Sequence, residues 1–91
     1  MGRLKEKALE FLESLSNIRT RMKNGYRQFF DSLSNTWQWV HRKVVEIATG
    51  KRIPKGHEVH HKNRDKLDNV PDNLQVLSKE EHQKIHRNER L

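Results

Sequence analysis

The chain contains no cysteine, two prolines, four glycines and no run of apolar residues longer than two. The absence of thiols removes disulfide scaffolds, zinc ribbons, CxxC redox motifs and cysteine nucleophiles together. The short apolar runs leave neither a transmembrane span nor a signal-peptide core, so a cytoplasmic setting without membrane contact is expected. Apolar residues are scarce in general. Leu, Ile, Val and Phe occupy 22 of 91 positions, and charged residues outnumber hydrophobic ones, 34% against 32%. Such a chain sits just above the range where disorder is expected. It can bury only a thin core, which points to one small domain stabilised by a metal, a partner or self-association.

What is abundant is positive charge, 19 Lys+Arg against 12 Asp+Glu, a net +7. A balance of this sign attracts phosphate polyanions or anionic surfaces. It is unevenly spread: +3 over residues 1–41, +5 over 42–66 and −1 over 67–91. The excess therefore peaks beside a group of histidines, five of the six lying between residues 57 and 86.

Hydrophobic periodicity gives an α+β reading. Leu4, Ala8, Phe11, Leu15, Ile18 and Met22 recur at spacings of four and three, predicting an amphipathic helix over 4–22, with Asn24-Gly25 as its left-handed stop. The stripe could be a dimer seam or the face that covers the rest of the chain. Tyr26, Phe29, Phe30 and Leu33 predict a second helical stretch, and the DSLSNT segment, Asp31 to Thr36, a polar break. A third helix is predicted from Trp37 to Ala48, with Trp37 in the core and Gly50 as cap. Beyond Lys51 the pattern changes to a turn at Ile53–Gly56, a short strand over His57–His61, a polar loop, and a strand over Leu74–Leu77. Ser78 and Glu81 then form a capping box that opens a last helix. The expected organisation is a mainly helical extension, 1–36, followed over 37–91 by a ββα unit with a lead-in helix.

The histidines are placed for chemistry. His82 and His86 are four apart on a predicted helix, so both project from one face and could hold one divalent cation; alone, such a pair is more often surface decoration. His60 and His61 adjoin on a predicted strand, where neighbours face opposite ways. One can join the helix pair as a metal ligand while the other stays unliganded as a base, the usual task of an imidazole near neutral pH.

Residues 57–86, HEVHHKNRDKLDNVPDNLQVLSKEEHQKIH, resemble the HNH endonuclease motif, a ββα-metal nuclease finger. The likeness rests on His60-His61, Asp68-Asn69, Asn73-Leu74, His82 and His86. The preceding WVHRKVVEIATGKRIPKG, residues 39–56, is similar to the lead-in of small phage- and intron-type members. The resemblance implies a metal-dependent DNA endonuclease leaving 5′-phosphate and 3′-hydroxyl ends. His61 would be the general base and Asn73 the residue that braces the hairpin and orients it. His60, His82 and His86 would hold one divalent ion (Zn, Ni, Co, Mn or Mg), a three-histidine set favouring the softer of these. Arg52, Lys55, Lys62, Arg64 and Lys66 are candidate phosphate contacts. His41 is expected to be structural, His57 a turn residue, and Asp65, Asp68 and Asn69 to make side-chain turn bonds. The competing reading is a non-catalytic DNA-binding or accessory module in which His60, His82 and His86 hold a structural metal and His61 has no role. An amphipathic membrane-surface peptide ranks last, because it leaves the ordered motif unexplained.

Overall fold

A computed structural model describes residues 2–89, with side chains described for 3–85 and Arg87. The element order is α1 (Gly2–Ser14), a 3-10 turn (Leu15–Asn17), β1 (Thr20–Lys23), β2 (Tyr26–Asp31), β3 (Thr36–Trp39), α2 (Val40–Thr49), β4 (His57–His61), a second 3-10 turn (Pro71–Asn73), β5 (Leu74–Ser78) and α3 (Lys79–Glu89). This is an α+β arrangement that ends in a ββα unit. Strands β1, β2 and β3 form one antiparallel sheet, and β4 with β5 forms another.

The C-terminal elements fall where the pattern placed them. Val59 pairs with Val76 and His61 with Leu74 across β4 and β5. The capping box closes reciprocally: Ser78 N–H donates to Glu81 Oε1 at 3.0 Å and Glu81 N–H to Ser78 Oγ at 3.1 Å. Bonding of the Glu81 carboxylate by the Ser78 backbone N–H, and secondly by the Ser78 side chain, lowers its pKa. Helix α2 ends at Gly50, whose φ of 69° and N–H bond to the Glu46 carbonyl make it the expected left-handed cap.

The N-terminal third differs. The expected helix over 4–22 stops at Ser14, because Ser14 Oγ donates to the Phe11 carbonyl and Ser16 Oγ to that of Glu13, and Ile18 is extended. Asn24-Gly25 is not a helix stop but a two-residue hairpin turn. Both residues have positive φ, 55° and 82°, which matches the right-handed twist of the strands it joins. The stretch predicted as a second helix is strand β2. Tyr26 and Phe30 share a face in either conformation, being four apart, and it is Phe29, turned to the other side, that the helical reading misplaced. Helix α2 begins three residues later than predicted, since Thr36 to Trp39 pair with β2. Trp37, expected in the core, is only half-buried. The polar break does join two elements: Asp31 accepts from Leu33 N–H and Ser34 Oγ.

Most of the stripe packs on its own molecule, the covering role of the two expected for it, while Leu4 and Met22 at its ends are exposed. Ala8 and Leu15 are buried, and Phe11, Leu12 and Ile18 pack around a core of Phe29, Val40, Val44, Val45, Val59 and Leu74. Phe11 meets Phe29 edge to face at 5.0 Å. One side of the first sheet thus closes the core against α1 and α2. An ion pair, Lys5 Nζ to Asp72 Oδ2 at 2.6 Å, joins α1 to the segment before β5, but both groups are exposed and it contributes little. No helix among the described residues is long and apolar enough to cross a membrane.

With so few apolar residues, each one in the core matters. Leu15→Ala, at a position 2% exposed, is expected to cost about 2–5 kcal/mol in urea denaturation; a loss below about 1 kcal/mol would show that the N-terminal turn is not integral to the core.

Candidate active site

The burial pattern of β4 separates its residues into two sets. Val59 and His61 are buried on one side, and Glu58 and His60 look the other way, toward α3. His60 and His61 therefore meet different surroundings, as their adjacency on a strand predicted.

On the α3 side, the rings of His60 and His82 lie edge to face, 5.4 Å between centroids. Two imidazoles bound through nitrogen to one tetrahedral ion, with bonds of about 2.0–2.1 Å, have centroids about 5 Å apart, so this spacing suits a shared divalent cation. Glu58 strengthens the fit. Its Oε2 contacts His82 Nδ1, the arrangement in which carboxylates stand behind metal-bound histidines. Among the described residues no group of three or more His, Asp or Glu side chains is arranged around a metal position. The third expected ligand, His86, is on α3, and its side chain lies outside the described residues. The described donors, His60 and His82 with Glu58 behind His82, have a chemistry that fits a divalent cation.

On the other side, His61 is 5% exposed and its Nε2 lies 2.7 Å from Asn69 Oδ1. An amide oxygen can only accept, so Nε2–H is the donor in this contact. Asn69 is itself buried. The orienting contact expected from Asn73 is thus made by Asn69, which the sequence reading had assigned to turn bonds. Asn73 holds the loop instead. Its Oδ1 accepts from Asn63 N–H, its Nδ2 donates to Asn63 Oδ1 and to the Asp68 carbonyl, and its own carbonyl accepts from Lys62 N–H. Asp65 and Asp68 make the expected turn bonds, to Leu67 N–H and Val70 N–H.

Both sides open onto one cleft of about 200 Å³, lined by Tyr26, Val59, His60, His61, Arg64, Lys66 and His82. Tyr26 comes from the N-terminal hairpin; its ring is 5.9 Å from that of His61, and Lys66 Nζ lies 4.8 Å above it. Of the five candidate phosphate contacts, Arg64 and Lys66 line this cleft. Arg52 lies in a separate groove with Lys43, Glu46 and Lys51, Lys62 is exposed at the start of the loop, and Lys55 precedes the far end of β4. His57, expected in the turn, is instead the first residue of β4, paired with Ser78, and its Nδ1–H donates to the Lys55 carbonyl oxygen at 3.3 Å.

His41, at the start of α2, packs against His61, with centroids 5.3 Å apart, and against Tyr26 at 4.9 Å. Its Nδ1 is buried without a hydrogen-bond partner. Burial, with smaller contributions from His61 and Arg42, lowers its pKa from 6.5 to about 4. His41 is therefore a neutral ring behind His61, consistent with a structural role.

A family model described as HNH endonuclease matches residues 38–84. No curated protein and no solved structure matches the chain. The matched segment is more than half of the chain and runs from β3 through the cleft to α3. The chain belongs to the HNH endonuclease family, and the ββα unit at residues 57–89 is the part that carries its motif.

Two outcomes are expected. Glu58→Gln should weaken divalent-ion binding about 10–100-fold, measured by calorimetric titration, with little change in fold; unchanged affinity would remove Glu58 from the site. The His41 pKa has a sign that can be tested as well. Between pH 6.5 and 4 the unfolded chain takes up a proton at this position that the folded chain refuses. The contribution to stability is complete above 6.5 and is lost as pH falls toward 4, about 3 kcal/mol in all. In chelator, denaturation at pH 7 and pH 5 should show His41→Phe losing about 2 kcal/mol less than the parent chain over that interval.

Proposed function

We propose that the protein is a metal-dependent endonuclease that hydrolyses DNA phosphodiester bonds, with His61 as the general base. The observation that carries this reading is the contact of buried His61, through Nε2, with Asn69 Oδ1. Asn69 holds Nε2–H, so the neutral ring has its lone pair on Nδ1 to take a proton from a water at the cleft. A structural metal site would need no such imidazole beside it, and holding one by a buried amide would serve no purpose there.

His60 and His82, joined by His86 from the same helix, are the ligands in this reading, and Glu58 holds His82 in place. A divalent cation bound there, whether Zn, Ni, Co, Mn or Mg, would supply Lewis-acid stabilisation of the charge that builds on the phosphoryl and departing 3′ oxygens. His61 looks away from the ligand pair, which is the geometry for drawing a proton from a water that attacks in line from the opposite side of the phosphate. The products are then a 5′-phosphate and a 3′-hydroxyl. Arg64 and Lys66 hold flanking phosphates. Asn73 acts at one remove, by fixing the loop from which Asn69 reaches His61. Residues 37–91 form the nuclease unit in this scheme, and the 1–36 extension contributes Tyr26 to the wall of its cleft.

The test is nicking of supercoiled plasmid by metal-stripped protein resupplied with one divalent ion at a time. His61→Ala should lower the rate about 10²–10⁴-fold while leaving ion binding near that of the parent. His82→Ala should lower both. If His61→Ala cuts at the parental rate, the base is misassigned. If no ion supports cutting by the parent chain, the accessory-module reading replaces this one.

A further inference from the structure

We infer that the open face of the three-stranded sheet is a docking surface for duplex DNA, gripping the sugar–phosphate backbone beside the cleft. The inference deepens the nuclease reading and rests on DNA being the substrate. It assigns the contact to the N-terminal extension rather than to the motif.

The register defines the face. Residues directly opposite in an antiparallel pair lie on the same side, and Arg21 opposes Gln28, Lys23 opposes Tyr26, and Trp37 opposes Phe30. One side of the sheet therefore carries Arg21, Lys23, Tyr26, Gln28, Phe30, Trp37 and Trp39, while Phe29 on the other side is buried in the core. Arg21 and Lys23 are exposed, the four aromatic residues are half-buried, and Gln28, which accepts from Arg21, is buried. From Ser14 to Phe30 the chain has four basic residues, Arg19, Arg21, Lys23 and Arg27, and no acidic one. Helix α1, with three basic and three acidic residues, is neutral, so the +3 of residues 1–41 comes from this ribbon, reduced by Asp31.

The two arginines on this face are held in place. The Arg21 guanidinium lies 4.1 Å from the centroid of the Trp37 ring, and that of Arg19 lies 5.4 Å from Phe30 and 5.6 Å from Trp37. Arg21 Nε also donates to Gln28 Oε1 at 2.8 Å. A guanidinium stacked on an aromatic ring keeps its N–H edge outward, and an arginine fixed in this way loses less entropy when it meets a phosphate. The same stacking covers the rings, so the face presents cations rather than bare platforms for unpaired bases. This favours the duplex backbone over single strands, whose non-specific binding depends on base stacking. A groove at the α2 end of the face continues the charge with Arg42 and Lys43, tempered by Glu46. At this same end Tyr26, whose ring lies 5.9 Å from that of Trp39, brings the face to the cleft. A strand of DNA lying along it would thus lead to His61.

The experiment is fluorescence anisotropy of a labelled 30-base-pair duplex, and of the matching single strand, titrated with full-length protein in chelator across a range of salt. Removing cations that neutralise phosphates lowers the slope of log affinity against log salt by about 0.9 each. Arg19→Gln, Arg21→Gln and Lys23→Gln combined should therefore reduce the slope by about 2–3 and weaken duplex binding roughly tenfold or more at moderate salt. Lys23→Gln alone, at an exposed side chain, should reduce it by about 1 even if the triple variant is poorly folded. Arg3→Gln, Lys5→Gln and Lys7→Gln combined remove the same charge from α1 and should leave the slope near the parental value. Equal loss in both triple variants, no loss in the hairpin variants, or tighter binding of the single strand would each overturn the proposal. Because cleavage is absent in chelator, a parent chain that binds duplex by this face but never cuts it would sink the nuclease reading alone.

Discussion

The alternation of side chains along β4 is the constraint on which the site depends. Five residues of strand carry Glu58 and His60 to one side and Val59 and His61 to the other. A helix would have spread these residues around its circumference and a loop would have fixed neither pair. The strand permits two adjacent imidazoles to differ in everything that matters chemically. His60 meets the ring of His82, and His61 meets the amide of Asn69. The register against β5 then holds the strand, since a slip by one residue would exchange the two sets.

Holding that strand in place falls to a small core. Val59 enters the apolar cluster built by α1, α2 and β2, so the face of β4 that bears His61 is the face anchored to the remainder of the molecule. His41 and Tyr26 fill the space between His61 and the first sheet. His41 does so with an unpartnered nitrogen, at a cost in stability that a carbocyclic ring would not incur. The polar loop is organised separately. Asn63, Asp65, Asp68 and Asn73 bond to one another and to backbone, so the loop reaches its shape without apolar residues that this chain lacks.

The C-terminal half was legible in the sequence because its signals are local and unambiguous. The Ser78–Glu81 box and the Gly50 cap each have one structural reading, and they frame the ordered residues from His60-His61 to His82 that carried the family resemblance. The N-terminal third was misread because its signals serve two structures equally. The spacing of Tyr26 and Phe30 fits a helix and a strand alike, and Asn-Gly closes a helix or turns a hairpin. What decided between them was strand pairing, a non-local property that no window of residues contains. The site residues missed, Asn69, Glu58 and Tyr26, share one cause. Each acts through a contact made at a distance in sequence, 8 residues for Asn69 with His61 and 24 for Glu58 with His82. Glu58 was the most accessible of the three: two positions from His60 on a strand, it had to share that residue's side.

The turn at Asn24-Gly25 carries a consequence for how such a chain can diverge. Two positive φ angles fix which residue of β1 meets which of β2. Adding or deleting a single residue in β1 would turn its guanidinium and ammonium groups under the sheet and bring Met22 outward. Length changes in this ribbon are therefore confined to even numbers, taken from both arms together, and relatives that keep its polarity should differ here in steps of two residues per strand.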